Sequence, residues 1–538
     1  MFKRFLNGKS NTITSAAVIV ASFSILSRFV GFIRDRILAG EFGASDTLDI
    51  YFAAFRVPDL LFQLLVVGAL SASFIPLFTR YVEKKQEEKA WQMTNNLLNI
   101  LAVVFGVFLI LAAIFAHDLA PLIAPGFDPA KQSAVADMAR VMFLAQFILS
   151  ISMVYGSVLQ SAKRFVLYSS APIFYNLGII LGAIAFVPIL GPMGLAWGVV
   201  LGAILHLLIQ IVGVYSLGYK FKFTFQVKDP DVKYTLKHMI PRVMGLAVNQ
   251  VNFLVMTILA STLAVGSVTI IQFAYNLNFF PVGVIAVSYA VAAFPTFCEL
   301  AHRKDQQDFI NAFSGTIRQI LFFIIPASVL FLLLRAQIVR VVLGAGAFDW
   351  EATILTADTL GLFALSFFAQ SLIFVIVRAY FAKNDTLTPF VVGLVAALIN
   401  VAAALTLTQT YGVVGLAMAY SIAVMFQLIL LWAPLRARVG SLDELRIARS
   451  LVILSTAGIF GGLATQGMKL IVVKVITLDT FFAVFAQGFI AGMVGLAVYV
   501  ASAYMFKSEE LSEFVRGLKK RLFKKAHPEE TVVTISNQ

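Results

Sequence analysis

Seven charged side chains fall within the first two long apolar runs of this chain: Arg28, Arg34, Asp35, Arg36, Asp49, Arg56 and Asp59. Ionisable groups at membrane depth are costly and usually face a bundle interior or a water-filled cavity. Three of the arginines belong to "SRFVGFIRDR", residues 27 to 36. A guanidinium fork matches phosphate oxygens bidentately, so the chemistry on offer is anion binding. At ~100° per residue, Arg28 and Asp35 lie within about 20° of each other, with Gly31 beside them, while Arg34 points about 120° away. One helix face therefore cannot hold them all. Arg28 and Arg34 read either as interhelical ion pairs or as cavity residues, and Arg36 and Asp59 as interface residues that snorkel. Later runs add Arg242, Asn249, Gln250 and Asn252, then Arg318 and Arg378. Asn and Gln in such runs suit hydrogen bonds to neighbouring helices as well as to a ligand.

The elements that position these groups are long and apolar. Of 538 residues, 60% are hydrophobic and 13% charged, against about 25% charged in a soluble domain. Apolar segments recur at roughly 13 to 39, 48 to 79, 96 to 117, 133 to 160, 170 to 190, 193 to 217, 238 to 262, 266 to 298, 309 to 334, 352 to 381, 387 to 408, 412 to 434, 447 to 467 and 479 to 506. Each can cross a hydrocarbon core of roughly 30 Å. The reading is an all-α polytopic membrane protein of about fourteen transmembrane helices. A β-barrel would show short alternating segments instead. The first run is too long for a signal-peptide core and lacks a small-residue cleavage site, so it reads as a retained helix.

Lys and Arg gather in alternate loops: Lys3, Arg4 and Lys9; Arg80 to Lys89; Lys163 and Arg164; Lys220 to Lys237; Arg303 and Lys304; Lys383; Arg436 to Arg446; and the tail from Lys507 to Lys525. That bias puts both termini in the cytoplasm. It also accounts for the net charge of +13, with no aromatic-studded basic face for nucleic acid. A single cysteine, Cys298, excludes an internal disulfide framework and any cysteine metal cluster. There is no HExxH and no Walker A loop, so no enzyme is expected and no resident cofactor or metal. Asp349 and Glu351, the one close acidic pair in a non-cytoplasmic loop, read as a helix start.

Short patterns repeat. Arg28-Phe-Val-Gly31 recurs as Arg242-Val-Met-Gly245, Phe74-Ile-Pro76 as Phe294-Pro295, Pro172 as Pro389, and Gly191-Pro-Met-Gly194-Leu195-Ala196 as Gly412-Val-Val-Gly415-Leu416-Ala417. The offsets are 214, 219, 217 and 221 residues. They predict two parallel six-helix lobes, 1–217 and 237–435, joined by a cytoplasmic linker, 218–236. Two further helices, 436–506, and a basic tail, 507–538, follow. The tail reads as positive-inside anchoring or as an amphipathic helix on anionic lipid.

"SRFVGFIRDRILAGEFGASDTLDIYFAAFRVPDLL", "GALSASFIPLF", "MIPRVMGLAVNQVNFLVMTILAS", "LGAGAFDWEATILTADTL" and "RAYFAKNDTLTP" resemble the MurJ (MviN) family of lipid II flippases, within the multidrug/oligosaccharidyl-lipid/polysaccharide exporter superfamily. The resemblance implies alternating access, a cationic central cavity for a diphosphate-sugar headgroup, and a groove at the last two helices for a polyprenyl tail. It places the family's first-helix arginines on Arg28 and Arg34 and its second-helix acidic residue on Asp49, expected to pair with an arginine and bias gating. The chain departs from the family at Phe62 and at Asn276, where relatives carry arginine, which leaves Arg56, Arg242 and Arg378 to compensate. Gln250 and Asn400 could offer carbonyl oxygens to a monovalent cation, and membrane potential could act on the headgroup itself.

The resulting expectation is a flippase carrying an undecaprenyl-diphosphate-linked glycan, lipid II foremost, to the outer leaflet of a bacterial cytoplasmic membrane for peptidoglycan synthesis. Its partners would be the lipid-linked substrate, membrane lipids and cell-wall synthesis proteins. Export of another lipid-linked glycan or amphiphilic solute, or a non-transporting scaffold of the same fold, are the alternatives.

Overall fold

Every backbone amide in a hydrocarbon core must find its partner within the protein, which leaves helices as the economical solution for apolar runs of this length. The computed structural model describes residues 13–67, 74–303 and 305–526, without the side chains of residues 13–18, 236–242, 244–246, 249 and 518–526. Among the described residues every regular element is helical. The order is α1 Ile13–Phe42, α2 Asp46–Val67, α3 Ile75–Glu83, α4 Glu87–Ile114, α5 Ala116–Ile123, α6 Pro129–Ser161, α7 Phe165–Leu190, α8 Met193–Tyr215 and α9 Pro230–Ser261. There follow α10 Ser267–Leu300, α11 Gln307–Leu333, α12 Arg335–Val342, α13 Trp350–Leu365, α14 Phe367–Ala382, α15 Leu387–Val439, α16 Glu444–Val475, α17 Phe481–Met505 and α18 Glu509–Ala526. Among the described residues ten helices are long and apolar enough to cross a membrane; α13 and α14, bent by 47°, make an eleventh if they form one span. The chain is a multi-pass membrane protein.

Local geometry returns at the spacing of the sequence repeat. α2 widens to a π-helical turn at Gln63–Val67 and α10 at Gly283–Val287, 220 residues later. Lys163 and Asn384, 221 apart, both adopt φ of 60° at a helix-ending turn. Gly191 and Gly412, also 221 apart, take φ of 61° and 56°. At Gly412 this left-handed step kinks the 53-residue α15, a conformation that favours glycine because it lacks a Cβ.

Contacts divide the chain into two compact units. The first comprises Met1–Phe280, Ile338–Phe363 and Asp385–Leu430. Within it α7 and α8 meet through Gly178 and Gly182 against Gly202 and Gly198, where an added Cβ would collide with backbone. Such small-xxx-small stripes let membrane helices approach closely. The second unit comprises Pro281–Gln337, Ala364–Asn384 and Leu431–Gln538. There α16 and α17 cross at Gly461 and Gly495, and the Tyr499 hydroxyl donates to Phe322 O on α11 at 2.8 Å.

Candidate substrate-binding site

In the first unit Arg34 and Asp35 of α1 and Arg56 of α2 join a continuous hydrogen-bonded relay. Arg34 donates from Nε and Nη2 to Asp35 Oδ1, at 3.0 and 2.6 Å, and from Nη1 to Asn176 Oδ1 on α7 at 2.9 Å. Asp35 Oδ2 accepts from Asn276 Nδ2 on α10 at 3.1 Å. Asn276 Oδ1 accepts from Gln272 Nε2 at 3.0 Å, and Gln272 Oε1 accepts from Arg56 Nη2 at 2.6 Å. Two cations thus flank one carboxylate, with two amides carrying the chain between helices. The Asp35 side chain is 4% exposed and that of Arg34 22%, so the carboxylate is the buried hub.

Helical geometry explains who faces whom. Arg28 and Asp35, two turns apart on one face of α1, both look at α10: Arg28 reaches Phe279 O and Asp35 reaches Asn276. Arg34 starts from another face, but its long side chain folds back onto its neighbour's carboxylate. Arg28 is held more loosely, by a 3.4 Å bond to Phe279 O and by its guanidinium 5.5 Å from the Phe279 ring centre. Arg56 lines a cavity with Gln272, Asn252, Thr257, Tyr275 and Tyr420, and its buried Nε has no hydrogen-bond partner. Among the described arginines of this site, Arg28 and Arg56 therefore have donor capacity to spare.

Other expected residues have different duties. Asp49 does not pair with an arginine. Its carboxylate accepts from Gly266 N, Thr269 N and Thr269 Oγ1 at 2.7, 2.8 and 2.7 Å, satisfying the orphan amides at the start of α10 as an N-cap does. Asp59 does not reach for an interface; it accepts from Gln146 Nε2 on α6 at 2.8 Å. Arg36 donates to Val341 O near the end of α12 at 2.6 Å. Asp349 starts α13 as expected, its Oδ1 accepting from Ala352 N at 2.8 Å. Gln250 is half-buried on α9. Asn252 accepts from Asn400 Nδ2 at 2.7 Å, an interhelical bond. The Arg242 and Asn249 side chains lie outside the described residues.

In the second unit Arg378 donates to Phe374 O of its own helix at 3.0 Å. Arg318, 3% exposed, binds Glu510 and Glu509 at 2.9 and 3.0 Å, so it anchors α18 instead of serving a cavity. Burial alone would raise the pKa of Glu510, but hydrogen bonds from Ser450, Ser508 and Arg318 outweigh it and hold the carboxyl below its ordinary value.

Asn176, Gln272 and Gln146 were not singled out from the sequence. Their signal was present as amides inside apolar runs, but only the fold reveals which of them meet a charge.

Helices long and apolar enough to span a membrane, packed around a cationic relay, define the class: a multi-pass helical membrane protein. Its fold is that of known carriers. The structure titled lipid II flippase MurJ, inward closed conformation, matches with a TM-score of 0.75 at 23% identity, covering 91% of this chain and 98% of that one. An inward-facing multidrug resistance MATE family transporter of the MOP superfamily matches with 0.66 at 14% identity, covering 80% and 99%. The family model described as lipid II flippase MurJ matches residues 38–486; the chain belongs to that family. Proteins named probable lipid II flippase MurJ are similar along the chain. The one from Bdellovibrio bacteriovorus is 27% identical over 521 residues, covering 94% of this chain and 97% of that protein. The one from Thermotoga maritima is 28% identical over 498 residues, covering 92% and 96%.

Proposed function

We propose that this chain moves lipid II, an undecaprenyl-diphosphate-linked glycan, from the cytoplasmic to the outer leaflet of the bacterial inner membrane by alternating access. The observation that carries the reading is the relay Arg34–Asp35–Asn276–Gln272–Arg56 with Arg28 beside it, on a chain of the MurJ family. Arg28 and Arg56 have donors left over and take the diphosphate oxygens. Arg34 is committed to Asp35 and Asn176 and shapes the cavity wall. No covalent chemistry is required: the headgroup crosses in a shielded cavity while its tail stays in lipid. An inside-negative potential favours outward movement of the headgroup's roughly two negative charges, by ~2.3 kcal/mol per charge for each 100 mV.

The finer architecture belongs to the same proposal. Ten spans, the bent α13–α14 pair, the second half of α15 beyond Gly412, and the charged helices α1 and α9 make fourteen. The recurring turns support two six-helix lobes with the linker between them; positive charge in alternate loops supports cytoplasmic termini, and the family resemblance assigns α16–α17 as the groove for the polyprenyl tail.

Expression in a bacterium depleted of its own flippase tests the function. Restored growth is expected; failure of a well-inserted chain removes lipid II as the substrate. Asn276 and Phe62 favour a second reading, export of another lipid-linked glycan, because Asn276 is absorbed into the relay and Phe62 packs near Phe105 at 6.5 Å between ring centres. Mass spectrometry of lipid co-purifying with the chain separates the two. A scaffold role is overturned if Arg28→Ala abolishes headgroup binding.

A further inference from the structure

The segment between α8 and α9 is a pinned strand. Three buried asparagines on α4, Asn95, Asn96 and Asn99, are 2 to 4% exposed and bind its backbone. Asn95 donates to Lys220 O at 3.1 Å and accepts from Lys222 N at 3.2 Å. Asn99 donates to Lys222 O and Thr224 O, both at 3.1 Å. Asn96 donates to Gln226 O at 3.0 Å and accepts from Gln226 N at 2.7 Å. The backbone groups held belong only to even-numbered residues. That alternation is the signature of an extended chain, whose successive peptide groups point to opposite sides. A buried amide left without partners is costly, so the ladder fixes the strand to α4.

The side chains alternate as well. Phe221, Phe223, Phe225 and Val227 are 51, 73, 44 and 50% exposed, an unpartnered apolar row of a kind rare on a water-facing surface. Lys220, Lys222 and Lys228, also exposed, interleave with it. The strand starts at an aromatic cluster in which Tyr219 meets Trp91, Tyr155 and Tyr215 with ring centres 5.4, 5.6 and 5.5 Å apart. Clusters of Trp and Tyr at the end of spanning helices mark the headgroup level of a bilayer.

We infer that residues 220–228 form a lipid-binding strand at the headgroup level, with Phe221, Phe223, Phe225 and Val227 inserted at the acyl boundary and the lysines set against acidic phospholipid. Interleaved aromatic and cationic side chains suit that occupant: rings enter the boundary, and ammonium groups stay with phosphate. The linker is then fastened twice, to α4 through its backbone and to the leaflet through its side chains. This goes beyond flipping and stands or falls separately from it.

The full chain with Cys298→Ser, which removes its one cysteine, takes a nitroxide at successive positions from 220 to 227. It is reconstituted in vesicles of equal parts phosphatidylcholine and phosphatidylglycerol. Oxygen should reach the label better than a water-soluble nickel chelate at 221, 223, 225 and 227, with the order reversed at 220, 222 and 226. Chelate access dominating at every position overturns the inference and leaves the row open for a polypeptide partner. In phosphatidylcholine alone the odd-position labels should sit shallower; an unchanged depth overturns the part assigned to acidic lipid. Asn95→Ala with Asn99→Ala should erase the alternation, and its persistence would overturn the role of the ladder.

Discussion

Asn276 both gives and takes: it donates to Asp35 Oδ2 at 3.1 Å and accepts from Gln272 at 3.0 Å. Arginine, which the family resemblance implies at this position, has no acceptor and could not take the hydrogen bond that Gln272 donates. The relay between Asp35 and Arg56 exists because position 276 is an amide. Asn276→Ala should cost about 1–3 kcal/mol through unpaired polar groups. Asn276→Asp should cost more, since a second carboxylate then faces Asp35. Thermal unfolding in detergent orders the two; equal losses would remove the electrostatic part of the argument.

Arg28 and Arg34 should separate in their effects. Arg34→Ala leaves the buried Asp35 with Asn276 but without its counter-ion and should destabilise the chain by about 2–3 kcal/mol, below the range for fully buried pairs because Arg34 is 22% exposed. Arg28→Ala removes one long bond and should leave the unfolding temperature nearly unchanged while abolishing complementation. The reverse pattern would reassign headgroup binding to Arg34.

Asp49→Ala should lower stability by about 1–3 kcal/mol for each buried donor of α10 left unpaired. Asp49→Asn keeps an acceptor oxygen and should recover much of the loss. If neither variant loses stability, the cap contributes nothing.

The tail contact should depend on pH in one direction. The carboxyl of Glu510 is held below its ordinary value, so its contribution is fully present above the unfolded carboxyl pKa of about 4.3. It disappears as pH falls through the lower folded value. Protease cleavage near Arg516 should therefore stay slow from neutral pH down to about 5 and accelerate only below about 4. Glu510→Gln should accelerate it at neutral pH.

Dissipating the membrane potential should slow outward movement of labelled lipid II in vesicles containing the chain, and reversing its sign should slow it further. A rate indifferent to potential would show that headgroup charge crosses compensated.

The helical class and the approximate boundaries of the apolar helices were legible in the sequence because hydropathy reports directly on them. The partners were not. Asp49 read as an arginine's counter-ion because a sequence gives charge but not distance; the fold sets it against the amides of Gly266 and Thr269. Arg318 read as a cavity cation because Glu510 stands 192 residues away in the chain. Asn95, Asn96 and Asn99 passed unnoticed because amides in an apolar run announce a hydrogen bond without naming its partner.

The contact between Arg318 and Glu510 also has an order in time. A helix completed early in synthesis carries a buried cation whose counter-ion is made 192 residues later. The second unit is therefore finished from its far end, and a chain cut short before Glu509 would keep its spanning helices but leave this seam open.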